Sequence, residues 1–213
     1  MFGQSAERVL PEGGARTAAA GRRLVLLTWQ RVVSPSLESV RLLFSEGRLR
    51  ASGRIIAAAN SEGTEPFSGS FSASVERADE AARLLLRTTT ADEERQVSLS
   101  RTEDGVWLVD HGHGATRNAF DGAIDVDVTG AVTFNALPIR RLGLHREPGA
   151  HELPVLCVSL PDLTVTLVRQ TYRTVSISED GAVINYSDPT FSADLTVDPN
   201  GMVINFPGRA HRI

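Results

Sequence analysis

Apolar and polar residues alternate along much of this chain. In residues 67–75, phenylalanine, alanine and valine alternate with serine, and residues 163–167 and 191–198 show the same period of two. Successive side chains of a strand point to opposite faces, so each segment predicts a strand with one face on a core and the other in water or a polar cavity. Residues 79–86 have a helix-favouring composition, but Leu84 and Leu86 continue the period of two, which predicts a strand.

Tight turns separate these segments. Asp104-Gly105, Asp180-Gly181 and Asn200-Gly201 each lie between two alternating runs, and Asp-Gly or Asn-Gly pairs adopt the positive φ of hairpin turns. The sequence therefore predicts an all-β fold: a single large curved antiparallel sheet that forms an unclosed β-barrel or half-barrel, with few or no helices. We expect one domain over residues 24–213, preceded by a flexible N-terminal extension over residues 1–23.

Composition excludes several classes of function. The chain has 213 residues, 41% of them hydrophobic and 23% charged, which is typical of one globular domain. Its formal charge of −4 argues against a nucleic-acid partner, and Cys157, the single cysteine, forms no thiolate cluster. Glycine-rich phosphate loops are absent, which predicts no cofactor. The sequence has neither an apolar run long enough to span a membrane nor a secretory signal, so we expect a cytoplasmic protein of undetermined oligomeric state.

Two pairs of residues suggest catalysis or metal binding. His111 and His113 in DHGHG are spaced to share an ion, but the flanking glycines favour a polar turn. Asp125 and Asp127 in IDVDV lie on one strand face with Cα atoms roughly 6.6 Å apart, a spacing compatible with glycoside hydrolysis. The simpler interpretation is that these carboxylates face solvent or pair with Arg140 or Arg141. We therefore predict no metal site and no catalytic residue.

Residues 133–142 (TFNALPIRRL) are the most unusual segment, and we expect them to form a strand. Adjacent arginines on a strand point to opposite faces, so either Arg140 or Arg141 would point into the concave interior. A guanidinium there can donate two hydrogen bonds to a phosphate, sulfate or carboxylate. Alternatively, Asp125 or Asp127 neutralises the inward arginine, and its role is structural.

Three segments carry a resemblance to a known family: DVDVTGAVTFNALPIRRLGL (125–144), LPDLTVTLVRQTYRTV (160–175) and FSADLTVDPNGMVINFPGRAHR (191–212). The sequence resembles a family of uncharacterised bacterial proteins described as glycolipid-binding. The resemblance implies an unclosed, strongly curved β-barrel similar to bacterial lipoprotein carriers, whose concave face holds acyl chains. It also implies that the following positions contact the ligand: Arg140, Arg141, Gln170, Tyr172, Asn135 and Tyr186.

The sequence leaves three functions open. The first is non-enzymatic binding of an amphiphilic ligand, a glycolipid or another lipid, in the concave cavity. The second is a hydrolase acting on a sugar or an ester through Asp125 and Asp127 or through His111 and His113. The third is a protein-interaction module that uses exposed sheet edges or an apolar concave surface.

Overall fold

A computed structural model describes residues 22–32, 35–45, 48–60, 63–75 and 82–213. Its first eight strands form a meander in which each strand pairs antiparallel with the next. They are β1 (Arg22–Arg31), β2 (Ser36–Ser45), β3 (Arg48–Ala57), β4 (Phe67–Val75), β5 (Ala82–Thr89), β6 (Glu94–Arg101), β7 (Trp107–Asp110) and β8 (Thr116–Asn118).

The second half of the chain contains seven more strands and the helical segments. The strands are β9 (Asp125–Val128), β10 (Ala150–Val158), β11 (Val165–Ser178), β12 (Gly181–Ser187), β13 (Ser192–Val197), β14 (Val203–Phe206) and β15 (Ala210–Arg212). Two 3-10 helices span Phe120–Gly122 and Val132–Asn135, and a single α-helix, α1, spans Ala136–Arg141.

All fifteen strands belong to one sheet, with β8 at one edge and β9 at the other. The pairing of β1 with β15 joins the two halves, and β9 with β10 is the parallel pair among otherwise antiparallel neighbours. Contacts between strands of the first half and the loops next to β9 and β10 show that the sheet curls. Trp107 Nε1 in β7 donates to the Ala123 carbonyl at 2.7 Å, and Thr88 Oγ1 in β5 donates to the Pro161 carbonyl at 2.7 Å. The predicted all-β, unclosed barrel-like sheet is confirmed.

Alternation along each strand sorts side chains between the inside and the outside of the curve. In β3, exposed and buried residues alternate without exception. On the inner side, Val40, Leu42 and Trp29 are completely buried, and Trp29 Nε1 donates to the Val203 carbonyl at 2.9 Å. Because these side chains are buried, the inner face of the sheet is the hydrophobic core, and each of them stabilises the folded state by roughly 1.5–3 kcal/mol.

Glycine is required at one of the predicted hairpins. Gly181 begins β12 with φ of +140°, and a Cβ atom there would overlap the Val197 carbonyl of the neighbouring strand. The predicted turns are present, with Asp104-Gly105, Asp180-Gly181 and Asn200-Gly201 each lying at the connection between two consecutive strands. The predicted strand at residues 79–86 is present from Ala82, while residues 79–81 lie outside the described residues.

The strand predicted for residues 133–142 is wrong. This segment forms the second 3-10 helix and α1, and it lies inside the curved sheet rather than in it. Ala136 and Ile139 are completely buried, so the segment fills part of the concave interior. Pro138 is tolerated because it occupies the first turn of α1, where backbone N–H groups have no partner within the helix.

The domain boundary stays a prediction. The first described strand begins at Arg22, two residues before the predicted start of the domain, and residues 1–21 of the predicted extension lie outside the described residues. The longest helix of the described ranges is α1 with six residues, and no helix there is long and apolar enough to cross a membrane.

Candidate ligand-binding site

Two cavities border residues 132–141 inside the curved sheet. The first, here called the apolar cavity, has a volume of about 230 Å³. Its walls are mainly aliphatic and aromatic, and they include Leu49, Val75, Leu84, Val126, Phe134 and Leu137. The charged residues of its lining are Asp125 and four arginines, namely Arg48, Arg83, Arg140 and Arg141. An apolar wall beside the Arg140 and Arg141 guanidinium groups is suited to a ligand with one apolar and one polar or anionic part.

Arg140 and Arg141 are the last two residues of α1, and both line the apolar cavity. The prediction that they point to opposite faces of a strand is therefore wrong. Consecutive residues of an α-helix differ by roughly 100° around its axis, which brings both side chains to one cavity. Each guanidinium also has a protein contact. Arg141 donates to both Asp125 oxygens, with 2.6 Å from Nη2 to Oδ2, whereas Arg140 lies 4.5 Å from the Phe44 ring centroid and donates to the Asn200 carbonyl.

The second cavity, here called the polar cavity, has a volume of about 350 Å³. Its polar lining includes Asn135, Gln170, Tyr186, Asp127, Asp188 and Arg209. A chain of hydrogen bonds runs behind this lining. Asn135 Nδ2 donates to Tyr172 Oη at 3.2 Å, Tyr172 Oη donates to Gln170 Oε1 at 3.0 Å, and Gln170 Nε2 donates to Asp127 Oδ2 at 2.8 Å.

Tyr186 of the polar-cavity lining packs edge to face against Tyr172 behind it, with ring centroids 5.3 Å apart. Tyr186 Oη donates to Asp188 Oδ2 at 2.9 Å. Burial raises the pKa of both tyrosines, so their hydroxyl groups stay protonated and act as donors. The structure thus brings Asn135, Gln170, Tyr172 and Tyr186 together and separates them from the two arginines.

The carboxylates of the polar cavity have opposite pKa shifts. Burial raises the pKa of Asp127, and the hydrogen bond from Gln170 offsets part of that increase. Burial also acts to raise the pKa of Asp188, but hydrogen bonds from Thr190 and Tyr186, together with the nearby Arg209, lower it overall. Burial raises the pKa of the Cys157 thiol, so this side chain is a poor nucleophile.

Asp125 and Asp127 face the interior from one strand, but they line different cavities. Asp125 is 6% exposed and is paired with Arg141 beside the apolar cavity, as one of the sequence interpretations expected. Asp127 lies at the polar cavity. The two carboxylates therefore share no cavity that would hold a glycosidic bond between them.

His111 and His113 are exposed and follow β7. Across the described parts of the chain, no group of three or more histidine, cysteine, aspartate or glutamate side chains is arranged to hold a metal ion.

Sequence reasoning missed Glu38, Asp188 and Arg209. Glu38 is 2% exposed, and its carboxylate accepts hydrogen bonds from the Val132 and Thr133 N–H groups, which fixes the start of the segment between the cavities. Burial raises the pKa of Glu38 to about 7. The inward position of Glu38 was readable, because it has the same parity as the apolar Val40 and Leu42. No comparable signal marks Asp188 or Arg209.

Comparison with known proteins gives the family. The sequence model of a family described as "Putative glycolipid-binding" matches residues 26–212. The chain belongs to this family. The resemblance found in the sequence is thereby confirmed, whereas the ligand is a matter for proposal. No curated protein matches the chain.

Two solved structures share the fold of this family member. One is a DUF1089 family protein from Pseudomonas aeruginosa, which is 24% identical, with a TM-score of 0.67 over 97% of this chain and 100% of that one. The other is a beta-barrel-like protein of a domain of unknown function, DUF1849, from Brucella abortus. It is 9% identical, with a TM-score of 0.52 over 91% of this chain and 96% of that one.

Proposed function

We propose that this protein binds an amphiphilic ligand, a glycolipid or another lipid, without chemically changing it. The observation that carries the proposal is the apolar cavity with Arg140 and Arg141 in its lining. The apolar part of the ligand lies against Leu49, Leu84 and Phe134, and its polar or anionic group contacts the guanidinium groups. The cytoplasmic location expected from the sequence stays a prediction.

The size of the apolar cavity limits what it holds. Its volume of about 230 Å³ is below the roughly 300–1,000 Å³ of typical small-molecule sites. The cavity therefore accommodates one segment of an acyl chain rather than a whole lipid. Each buried methylene contributes about 0.8 kcal/mol, so a segment of a few methylenes gives weak to moderate affinity, to which the headgroup contacts add.

The polar cavity suits a neutral, hydroxyl-bearing group such as a sugar. Asn135 and Gln170 supply amide groups, Asp127 supplies an acceptor, and Tyr186 supplies an aromatic surface. Such a mixture of donors and acceptors matches hydroxyl groups, each of which both donates and accepts. Asn135, Gln170, Tyr172 and Tyr186 thus have their proposed role here, with Tyr172 acting through the other two side chains.

Native mass spectrometry of the purified protein, followed by organic extraction, tests the proposal. A retained amphiphile at stoichiometric amounts is the expected result, and Arg140→Ala should reduce its occupancy because it removes a guanidinium from the cavity. Arg146→Ala is the matched control, since Arg146 is exposed and lies outside the cavity lining. Protein that retains no amphiphile and also fails to bind fluorescent fatty-acid or glycolipid probes would contradict the proposal.

A hydrolase acting on a sugar is the second candidate, and one observation favours it. Asp127, with a raised pKa, and Asp188, with a lowered pKa, both line the polar cavity. Carboxyl groups whose surroundings shift their pKa values in opposite directions can divide the roles of acid and base. Release of nitrophenol from nitrophenyl glycosides, lost in Asp127→Asn, would support this candidate, and no release by the wild-type protein would reject it.

A further inference from the structure

The outer face of β2 to β5 carries six exposed arginines. Each of them alternates with inward side chains of its own strand, such as the buried Val40, Leu49 and Leu84. They are Arg41, Arg48, Arg50, Arg54, Arg83 and Arg87. We call this surface the arginine face. It is strongly positive in a chain whose formal charge is −4.

Strand register arranges four of these arginines in two rows. Arg50 and Arg83 both pair with Ser74, one from each side, and Arg54 and Arg87 pair with Ser70 in the same way. Two strand spacings separate the arginines of each row, so their Cα atoms lie roughly 10 Å apart. The small Ser74 leaves space for an anionic group that the Arg50 and Arg83 guanidiniums can approach from opposite sides, whereas Arg87 Nε donates to Gln96 Oε1 of β6 at 2.8 Å.

Within the described residues of β1 to β5, no exposed acidic side chain lies on this surface, and Glu94 of β6 borders it beside Arg87. The single acidic residue of these strands, Glu38, is 2% exposed and accepts hydrogen bonds on the inner side of the sheet. Among the ranges that the structure describes, none of the six arginines forms an ion pair. Clustered charge of one sign attracts a partner of the opposite sign.

Exposed aliphatic side chains lie between and beside the arginines. Leu26 is 69% exposed and pairs with Arg41, while Leu37 and Ile56, which are 45% and 64% exposed, pair with each other. Leu24 is 52% exposed on the same side of β1. Transfer of aliphatic side chains of this size from water to the boundary between headgroups and acyl chains lowers the free energy.

We propose that the arginine face docks the protein on an anionic lipid bilayer. Guanidinium groups contact the lipid phosphates, and the neighbouring leucine and isoleucine side chains enter the headgroup region. Nucleic acid fits this surface less well. Single strands need aromatic platforms, yet the aromatic residues of the described β1 to β5, namely Trp29, Phe44, Phe67 and Phe71, all belong to the core.

The arginine face and the apolar cavity share Arg48 and Arg83. Docking would therefore place this cavity beside the bilayer, the source or destination of an amphiphile. This link rests on the proposed function, whereas the docking itself rests only on the outer face. Arg54 and Arg87 do not line the cavity, so their substitution separates the two ideas.

Vesicle co-sedimentation tests the docking. The wild-type protein should bind vesicles of equal parts phosphatidylglycerol and phosphatidylcholine but not vesicles of phosphatidylcholine alone, and added salt should weaken the binding. Arg54→Ser/Arg87→Ser should reduce binding roughly tenfold or more. The matched control is Arg117→Ser/Arg173→Ser, which removes the same charge from exposed positions of β8 and β11.

Three outcomes overturn the docking proposal. The first is equal vesicle binding by the Arg54/Arg87 variant and the control, and the second is vesicle binding that does not depend on phosphatidylglycerol. The third is an Arg54/Arg87 variant that loses binding to a DNA duplex but keeps its binding to vesicles. Melting curves show whether each variant is folded. Titration with a fluorescent fatty acid is the separate readout for the cavity. The Arg54/Arg87 variant should keep fatty-acid binding while it loses vesicle binding, and loss of both would contradict independent sites.

Discussion

The apolar and polar cavities border the same segment, yet they satisfy their carboxylates in different ways. At the apolar cavity, Asp125 is neutralised by the charged Arg141 at 2.6 Å. At the polar cavity, Asp127 receives a hydrogen bond from the neutral Gln170 at 2.8 Å, and burial raises its pKa. The two carboxylates are two residues apart on one strand, but residues 132–141 divide the interior, so each carboxylate lies at a different cavity with different partners.

The difference shows what each cavity can offer a ligand. The Arg141 guanidinium is partly used by Asp125, so Arg140 provides most of the remaining positive charge on the inner side of the apolar cavity. The polar cavity instead presents amide, carboxyl and phenol groups held by a hydrogen-bond chain. The two cavities therefore favour different chemical groups, an acyl segment with an anionic group at one and hydroxyl groups at the other.

Breaking the ion pair at the apolar cavity should have the largest effect. Arg141→Met leaves the nearly buried Asp125 carboxylate without its partner, which should lower the free energy of unfolding by roughly 3–5 kcal/mol. The double variant Asp125→Leu/Arg141→Met leaves no unpaired charge and should be clearly more stable than the single variant. Urea unfolding measures both, and equal stabilities would mean that the pair is not a buried unit.

The carboxyl group that fixes the start of the dividing segment should make stability depend on pH. Glu38 has a pKa of about 7 in the folded protein and 4.5 ordinarily, so the folded state binds the proton more tightly. Its effect is a loss of stability as pH rises from 4.5 to about 7, in total roughly 3 kcal/mol. Glu38→Gln should flatten this part of the pH profile in urea unfolding.

Asp127 also has a raised pKa, so its contribution has the same sign as that of Glu38. Asp127→Asn is therefore a useful second variant, because it should remove the part of the pH dependence of unfolding free energy that remains in Glu38→Gln. A Glu38→Gln protein with the full wild-type slope would show that Glu38 does not bind the proton in this range.

Removing the Tyr172 hydroxyl behind the polar cavity should have the smallest of these effects on stability. Tyr172→Phe takes the acceptor from Asn135 and the donor from Gln170, which should reduce the free energy of unfolding by about 1–3 kcal/mol. Tyr186→Phe is the comparison, since its partner Asp188 also accepts from Thr190. Thermal unfolding should show a smaller loss for Tyr186→Phe, and the reverse order would contradict the hydrogen-bond chain.

Most of the fold was predictable because one face of each long strand is buried. The period of two in residues 67–75 and the Asp-Gly and Asn-Gly pairs indicated strands and hairpins directly. Residues 133–142 were misassigned, since the helical state of this segment depends on its place inside the curved sheet and not on its own pattern. Ala136 and Ile139 are completely buried, and the start of the segment is held by Glu38 of β2, a distant partner that no local window of sequence reveals.

Sequence reasoning selected residues that the structure brings close together, but it did not reveal that the interior divides into two cavities. Gln170 and Tyr172 of β11 meet Asn135 of the second 3-10 helix in one hydrogen-bond chain. The separation of Asp125 from Asp127 follows from the path of the dividing segment, so the strand pattern alone suggested a shared face and a paired site. Asp188 lies in the loop after β12, where alternation gives no indication of direction.

Titration with a fluorescent fatty acid tests the central claim most directly, using one filling variant for each cavity. Ala73 lines the apolar cavity and Val168 lines the polar cavity, so Ala73→Phe and Val168→Phe should each occupy one of them. The account predicts saturable binding by the wild-type protein and by Val168→Phe, and its loss in a folded Ala73→Phe. Undiminished binding by Ala73→Phe would contradict the placement of the acyl chain in the apolar cavity.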